Sequence, residues 1–279
     1  MSMSFRTNVT KITLVLLSAL LYIGLTTAPT PVSAAASIEL NAPVKAAFDA
    51  TVKAADEGNA AKLTRLYNDF SSLLAQDVTL EAQIKDTHFA NEEAIGAARK
   101  RIRDIDASKL AALDEQVKQA KARYRPLFDF YANLNKQIAA AKLLKNKSLI
   151  SLLRMQADAM KLPVQLARES IRAKTEAQQV AKADAARKIK AARDWLATVE
   201  PLQTQIKAHR SAASLPRSSR SPAWSNFKRV SKKADARGTL DSLQMLTTLS
   251  RQIVERQQKI LALESKINEI VAETKARYA

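Results

Sequence analysis

The residue types that could carry chemistry are few in this chain and far apart. His88 and His209 are its only imidazoles, and there is no cysteine. Each histidine falls on an apolar helical stripe. Such a histidine is either a ligand or pH-sensitive group, or a partly buried ring satisfied by a carboxylate or water. No HExxH or carboxylate–histidine helical spacing accompanies either one, which favours the second reading. Glu92-Glu93 and Asp104/Asp106 have the residue type of a general acid–base pair. In a helix, however, neighbours one or two apart point in different directions. Arg99, Lys100, Arg101 and Arg103 surround them, so surface ion pairs account for these acids. The missing cysteines exclude thiolate metal sites, disulfides and cysteine nucleophiles. Gly24, Gly58, Gly96 and Gly238 are too scattered for a P-loop or a GxGxxG turn. The expectation is a non-enzyme with no catalytic residue, metal or cofactor.

The most informative cluster is basic. Arg217, Arg220, Lys228, Arg229, Lys232, Lys233 and Arg237 crowd a stretch whose one acid is Asp235, within a chain of formal net charge +18. Trp224 and Phe227 are interleaved, and with Val230 and Ala234 they follow helical spacing. A basic amphipathic helix of this kind can lie on an anionic membrane. It can also grip teichoic-acid-like polymer through charge, and nucleic acid less favourably. The competing reading docks both aromatics on the protein's own core and leaves the cations solvated. A second aromatic group, Tyr124, Phe128, Phe130 and Tyr131, reads mainly as a packing layer. Only Phe130 falls off that face, where an outside partner would reach it.

Helices must position all of this. Alanine is abundant and glycine scarce, a balance that favours helix nearly throughout. Asn41 before Ala42-Pro43 is a helix cap, and Gly58-Asn59 reads as a stop followed by a new cap. Leu63, Leu66, Phe70 and Leu74 form a stripe, with an interruption expected near Asp77. From Leu110, alternating steps of three and four give Leu113, Val117, Ala120, Tyr124, Leu127, Tyr131, Leu134, Ile138 and Ala141, an unbroken heptad seam. Lys145–Ser148 is the expected turn. A second register runs from Ile150 to Ile171 and resumes at Ala192, and the weak stretch Lys174–Lys190 is expected to project with little to bury. Ser211–Ser225 is rich in Ser, Pro and Arg and reads as a linker. In the last helix, Val254, Leu261 and Val271 widen the stripe, implying contact with more than one neighbour. Pro126, Pro163 and Pro201 read as kinks in long helices.

The fold class is therefore all-α, an elongated antiparallel helical bundle of long coiled-coil helices with some proline kinks. The expected division is residues 1–34 as a cleaved secretory signal peptide, 35–210 as the long-helix bundle, 211–225 as linker and 226–279 as a C-terminal helix packing on the bundle. The signal reading rests on Arg6 and Lys11, the apolar run Ile12–Leu25 and the small residues Val32–Ala36. Such a run rises only about 21 Å, short of a bilayer's ~30 Å hydrocarbon core. In type, the profile resembles exported basic coiled-coil proteins of bacteria, including periplasmic holdase chaperones and the coiled-coil halves of cell-wall hydrolase regulators. The functional expectation is an exported, non-catalytic scaffold or adaptor of the cell envelope. Its partner would be an anionic wall polymer or membrane surface, with a protein partner or self-association through helix seams also allowed. An extracytoplasmic holdase chaperone is the alternative.

Overall fold

The computed structural model describes residues 38–278 and is all-α, 93% helical, with no strand among the described residues. The reading of residues 1–34 as a signal peptide lies outside that range. Among the described residues six helices follow one another: α1 (Ala42–Ala54), α2 (Glu57–Arg103), α3 (Ala107–Leu143), α4 (Lys147–Ala197), α5 (Val199–Lys232) and α6 (Ala236–Tyr278). Asn41 caps α1, its side chain accepting from the Val44 N–H, with proline in the first turn. Asp56, rather than Gly58-Asn59, caps α2. Its carboxylate accepts from the Asn59 N–H at 2.9 Å and from the Asn59 side-chain amide at 2.6 Å. Those bonds hold the Asp56 carboxyl below its ordinary pKa, the backbone bond contributing most. Gly58 is simply part of the first turn.

α2, α5 and α6 form one bundle. The contacts Leu66–Thr247, Asp77–Gln257 and Asn91–Glu264 rise together along the chain, so α2 and α6 run parallel. Arg220–Asp77 and Gln203–Glu92 run in opposite order, which makes α5 antiparallel to both. α6 packs on α2 and α5 at once. The wide apolar stripe of the last helix is used in this way: Ile253, Val254, Ile260, Leu263, Ile267 and Val271 are all buried. α1 closes one end, with the Thr51 hydroxyl donating to the Ser231 carbonyl at 3.0 Å.

α3 and α4 form an antiparallel hairpin. At 37 residues α3 is about 55 Å long. None of its ten heptad positions from Leu110 to Ala141 is exposed, and Val117, Ala120, Leu134, Ile138 and Ala141 are buried. The turn falls where expected: Lys145 takes φ 55° and the Asn146 side chain caps α4. The C-terminal part of α4 reaches the bundle, where Ala192 and Leu196 join the core of Ile95, Ile102 and Ile267.

Five expectations need correcting. Residues 211–225 are not a linker, because α5 runs unbroken through them with Pro216 and Pro222 inside it. Each proline removes a backbone donor, but Ala213, Ala223 and Trp224 are buried on either side, and tertiary packing outweighs the local cost. The C-terminal unit accordingly begins at Ala236, after a break at Lys233–Asp235, rather than at residue 226. Pro201 lies in the first turn of α5, just past the break at Thr198, where its missing N–H has no cost. Finally, 174–190 is not bare. Ala181 and Ala185 are buried, and buried Gln178 donates to Asp114 of α3 at 2.7 Å. Nor is α2 interrupted near Asp77.

At the hairpin base, Asp106 (φ 57°) accepts from Lys188 at 2.7 Å. That bond holds the Asp106 carboxyl below its ordinary value, and Lys118 does the same for Asp114. Carboxyls depressed by folding stabilise the native state above their unfolded pKa, about 4, and lose that contribution as pH falls through the folded value. Protection factors for hydrogen exchange in the first turns of α3 should therefore fall below about pH 4, before those of the α2–α6 core.

Candidate functional site: a cationic corner

The turn from α5 to α6 is built from a few side chains. Ala234 takes φ 53°, reversing the chain. Asp235 then accepts from the Gly238 N–H at 2.9 Å, capping α6. A Cβ at Gly238 would lie 2.5 Å from the Asp235 carboxylate, so a side chain there would force the capping carboxylate to shift. The single acid of the basic segment is thus used inside the turn.

The residues predicted to bind an anionic surface divide into two sets. Trp224 and Phe227 face inward, 6% and 0% exposed. They join Phe48, Tyr67 and Phe70 in an aromatic cluster: Phe48 stacks on Tyr67 at 4.3 Å, Trp224 on Phe227 at 5.1 Å, and Phe70 lies 6.1 Å from Trp224. Burial in this cluster raises the Tyr67 pKa. Neither aromatic is placed to enter a membrane, which corrects that part of the amphipathic reading. Arg220 is also taken up, bonding to buried Asp77 at 2.7 Å, and Arg217 lies 3.4 Å from Glu81 and 3.7 Å from Asp77.

The second set stays outside. Arg229, Lys232, Lys233 and Arg237 are exposed and Lys228 is half-buried, its ammonium 5.8 Å from the Trp224 ring centre. Arg229 donates to the Asn226 side chain at 2.6 Å. Among the described residues none of these five cations has a carboxylate partner. Five charges of one sign therefore gather at one corner with no carboxylate to neutralise them among the described residues.

Two polar layers that the sequence reading missed cross the α2–α5–α6 core. In one, Asp77 accepts from Arg220 and from Gln257 at 2.7 Å. In the other, Glu264, 1% exposed, accepts from Asn91 at 2.9 Å and lies 3.0 Å from His88 Nδ1 and 3.9 Å from Arg210. His88 is therefore a carboxylate-satisfied histidine, and His209 is half-buried on α5. Within the same two layers, Asn91 Oδ1 and Gln257 Oε1 are buried and find no hydrogen-bond partner among the described residues. No group of three or more acidic or histidine side chains able to hold a metal occurs among the described residues. Phe128 and Tyr131 line an open groove of about 750 Å³ between α3 and α4, with Arg168 and Arg172. Phe130 is off the seam and exposed, as its position predicts. No helix among the described residues is long and apolar enough to cross a membrane. No protein-family model matches the chain, and neither does any curated protein or solved structure.

Proposed function

We propose that the protein is a non-catalytic, exported helical adaptor of the bacterial cell envelope, held to anionic polymer or lipid headgroups by the corner formed by Lys228, Arg229, Lys232, Lys233 and Arg237. The observation that carries this reading is the unpaired state of those five cations beside an acid already committed to a helix cap. Attraction through exposed charge is long-ranged and salt-sensitive, which suits retention on a polyanionic matrix. The aromatic cluster beneath fixes the corner's shape and takes no part in binding.

The second reading, a holdase chaperone, draws on a different feature. Leu152, Met155, Leu162, Leu166 and Val180 are exposed along the outer side of α4, an apolar surface that an unfolding client would cover. Two assays on the full chain separate the readings. Retention on isolated envelope fractions that is reversed by salt, without suppression of client aggregation, supports the adaptor. Suppression at near-stoichiometric ratio, with no salt-reversible retention, supports the chaperone and overturns the adaptor.

A further inference from the structure

The tip of the α3–α4 hairpin combines two features that a solvated turn does not need. Leu143 and Leu144, side by side in the last turn of α3 and its cap, are 86% and 76% exposed. Leu149, Leu152 and Met155 are also exposed, on the first turns of α4. The seam does not use them, since Ile138, Ala141 and Leu153 fill it. Around these residues the charge has one sign. Lys136, Lys142, Lys145, Lys147 and Arg154 occupy a stretch from residue 130 to 157 that contains no acid. None of the five has an ion-pair partner among the described residues.

The tip is also firmly built. The Asn146 N–H donates to the Ala141 carbonyl at 3.3 Å and the Lys145 N–H to the Lys142 carbonyl at 3.1 Å, closing α3. The Leu149 N–H donates to the Asn146 side chain at 3.1 Å, opening α4. With both helix ends satisfied, the two leucines are held outward and the backbone there brings few unmet hydrogen bonds to an apolar medium.

From this combination we propose that the hairpin tip is a docking wedge for an anionic phospholipid surface, with Leu143 and Leu144 entering the headgroup–acyl boundary and the lysines meeting lipid phosphates. A soluble polyanion would use the lysines and gain nothing from the leucines. An apolar protein groove would use the leucines without requiring a stretch free of acids. A lipid leaflet uses both, with the lysine stems lying along the apolar layer while their ammoniums reach the phosphates. This wedge is separate from the α5–α6 corner and does not depend on that reading.

The test uses the full chain and vesicles of phosphatidylcholine with or without phosphatidylglycerol. Leu143→Ser with Leu144→Ser should lower partitioning onto the anionic vesicles about tenfold or more, because apolar transfer is lost, with the melting temperature unchanged. Replacing Lys142, Lys145 and Lys147 by Gln should weaken binding and make its salt dependence shallower. The chain has no cysteine, so Ser148→Cys offers a single site for an environment-sensitive dye, expected to move into an apolar medium on anionic vesicles only. Undiminished partitioning by the double-Ser variant, or a dye that stays in water, overturns the wedge. So does self-association that the double-Ser change abolishes without altering vesicle binding, since the leucines would then serve a second copy of the chain.

Discussion

Phe227→Ala is expected to destabilise the protein by about 3–5 kcal/mol while leaving its retention on anionic material unchanged. Phe227 is fully buried, stacked at 5.1 Å on Trp224 and 6.4 Å from Phe48. Truncation leaves a cavity in the aromatic cluster that α1, α2 and α5 build, and rigid neighbouring rings collapse into it poorly. Chemical unfolding gives the stability, and retention below the melting transition gives the binding. Were Phe227 a membrane anchor, the pattern would be reversed, with little loss of stability and a clear loss of binding.

Asp77→Ala should have the next largest effect, about 3 kcal/mol, at the low end for a broken buried ion pair because Arg220 keeps some contact with water. Removing the carboxylate leaves Arg220 uncompensated and the buried Gln257 amide with only the longer bond to the residue-77 backbone carbonyl, 3.3 Å. Arg220→Met should cost less, about 1–2 kcal/mol. Asp77 would still accept from Gln257 and lie 3.7 Å from Arg217, and the methionine would repack the arginine's apolar stem. Urea unfolding of the two single variants ranks them. If Arg220→Met proved the more damaging, the charge of Arg220 would be what Asp77 depends on, with Gln257 and Arg217 unable to replace it.

The seams were legible because hydrophobic spacing is local information. The α3 heptad from Leu110 to Ala141, its partner from Ile150 to Ile171 and the wide stripe of α6 all pack as their periods imply. What misled was local chemistry that packing overrides. Pro216, Pro222 and the serines around them look like a linker, yet buried Ala213 and Trp224 keep α5 helical. Asp77 looks like a break in an apolar stripe, and only a residue 143 positions away, Arg220, explains it. The basic segment could be read for charge but not for direction. Whether Trp224 faced a membrane or a core depended on Phe48, Tyr67 and Phe70, which come from two other helices. The leucines at the hairpin tip escaped notice because they interrupt no pattern. They follow the last seam residue, and their exposure becomes evident only once the turn closes.

In the proposed role the unpaired corner cations hold the protein to an anionic envelope. The salt dependence of full-chain retention on isolated cell envelopes tests this, comparing wild type with a variant in which Lys228, Arg229, Lys232 and Lys233 are all Gln. All four replacements keep good helix formers on the outside of α5 or its cap, so the melting temperature should hold. Each lost cation releases one fewer counterion. The slope of log retention against log salt should therefore become shallower, by up to roughly one unit per charge, and retention at low salt should fall. An unchanged slope with undiminished retention would rule out that role and leave the corner a solvated basic surface.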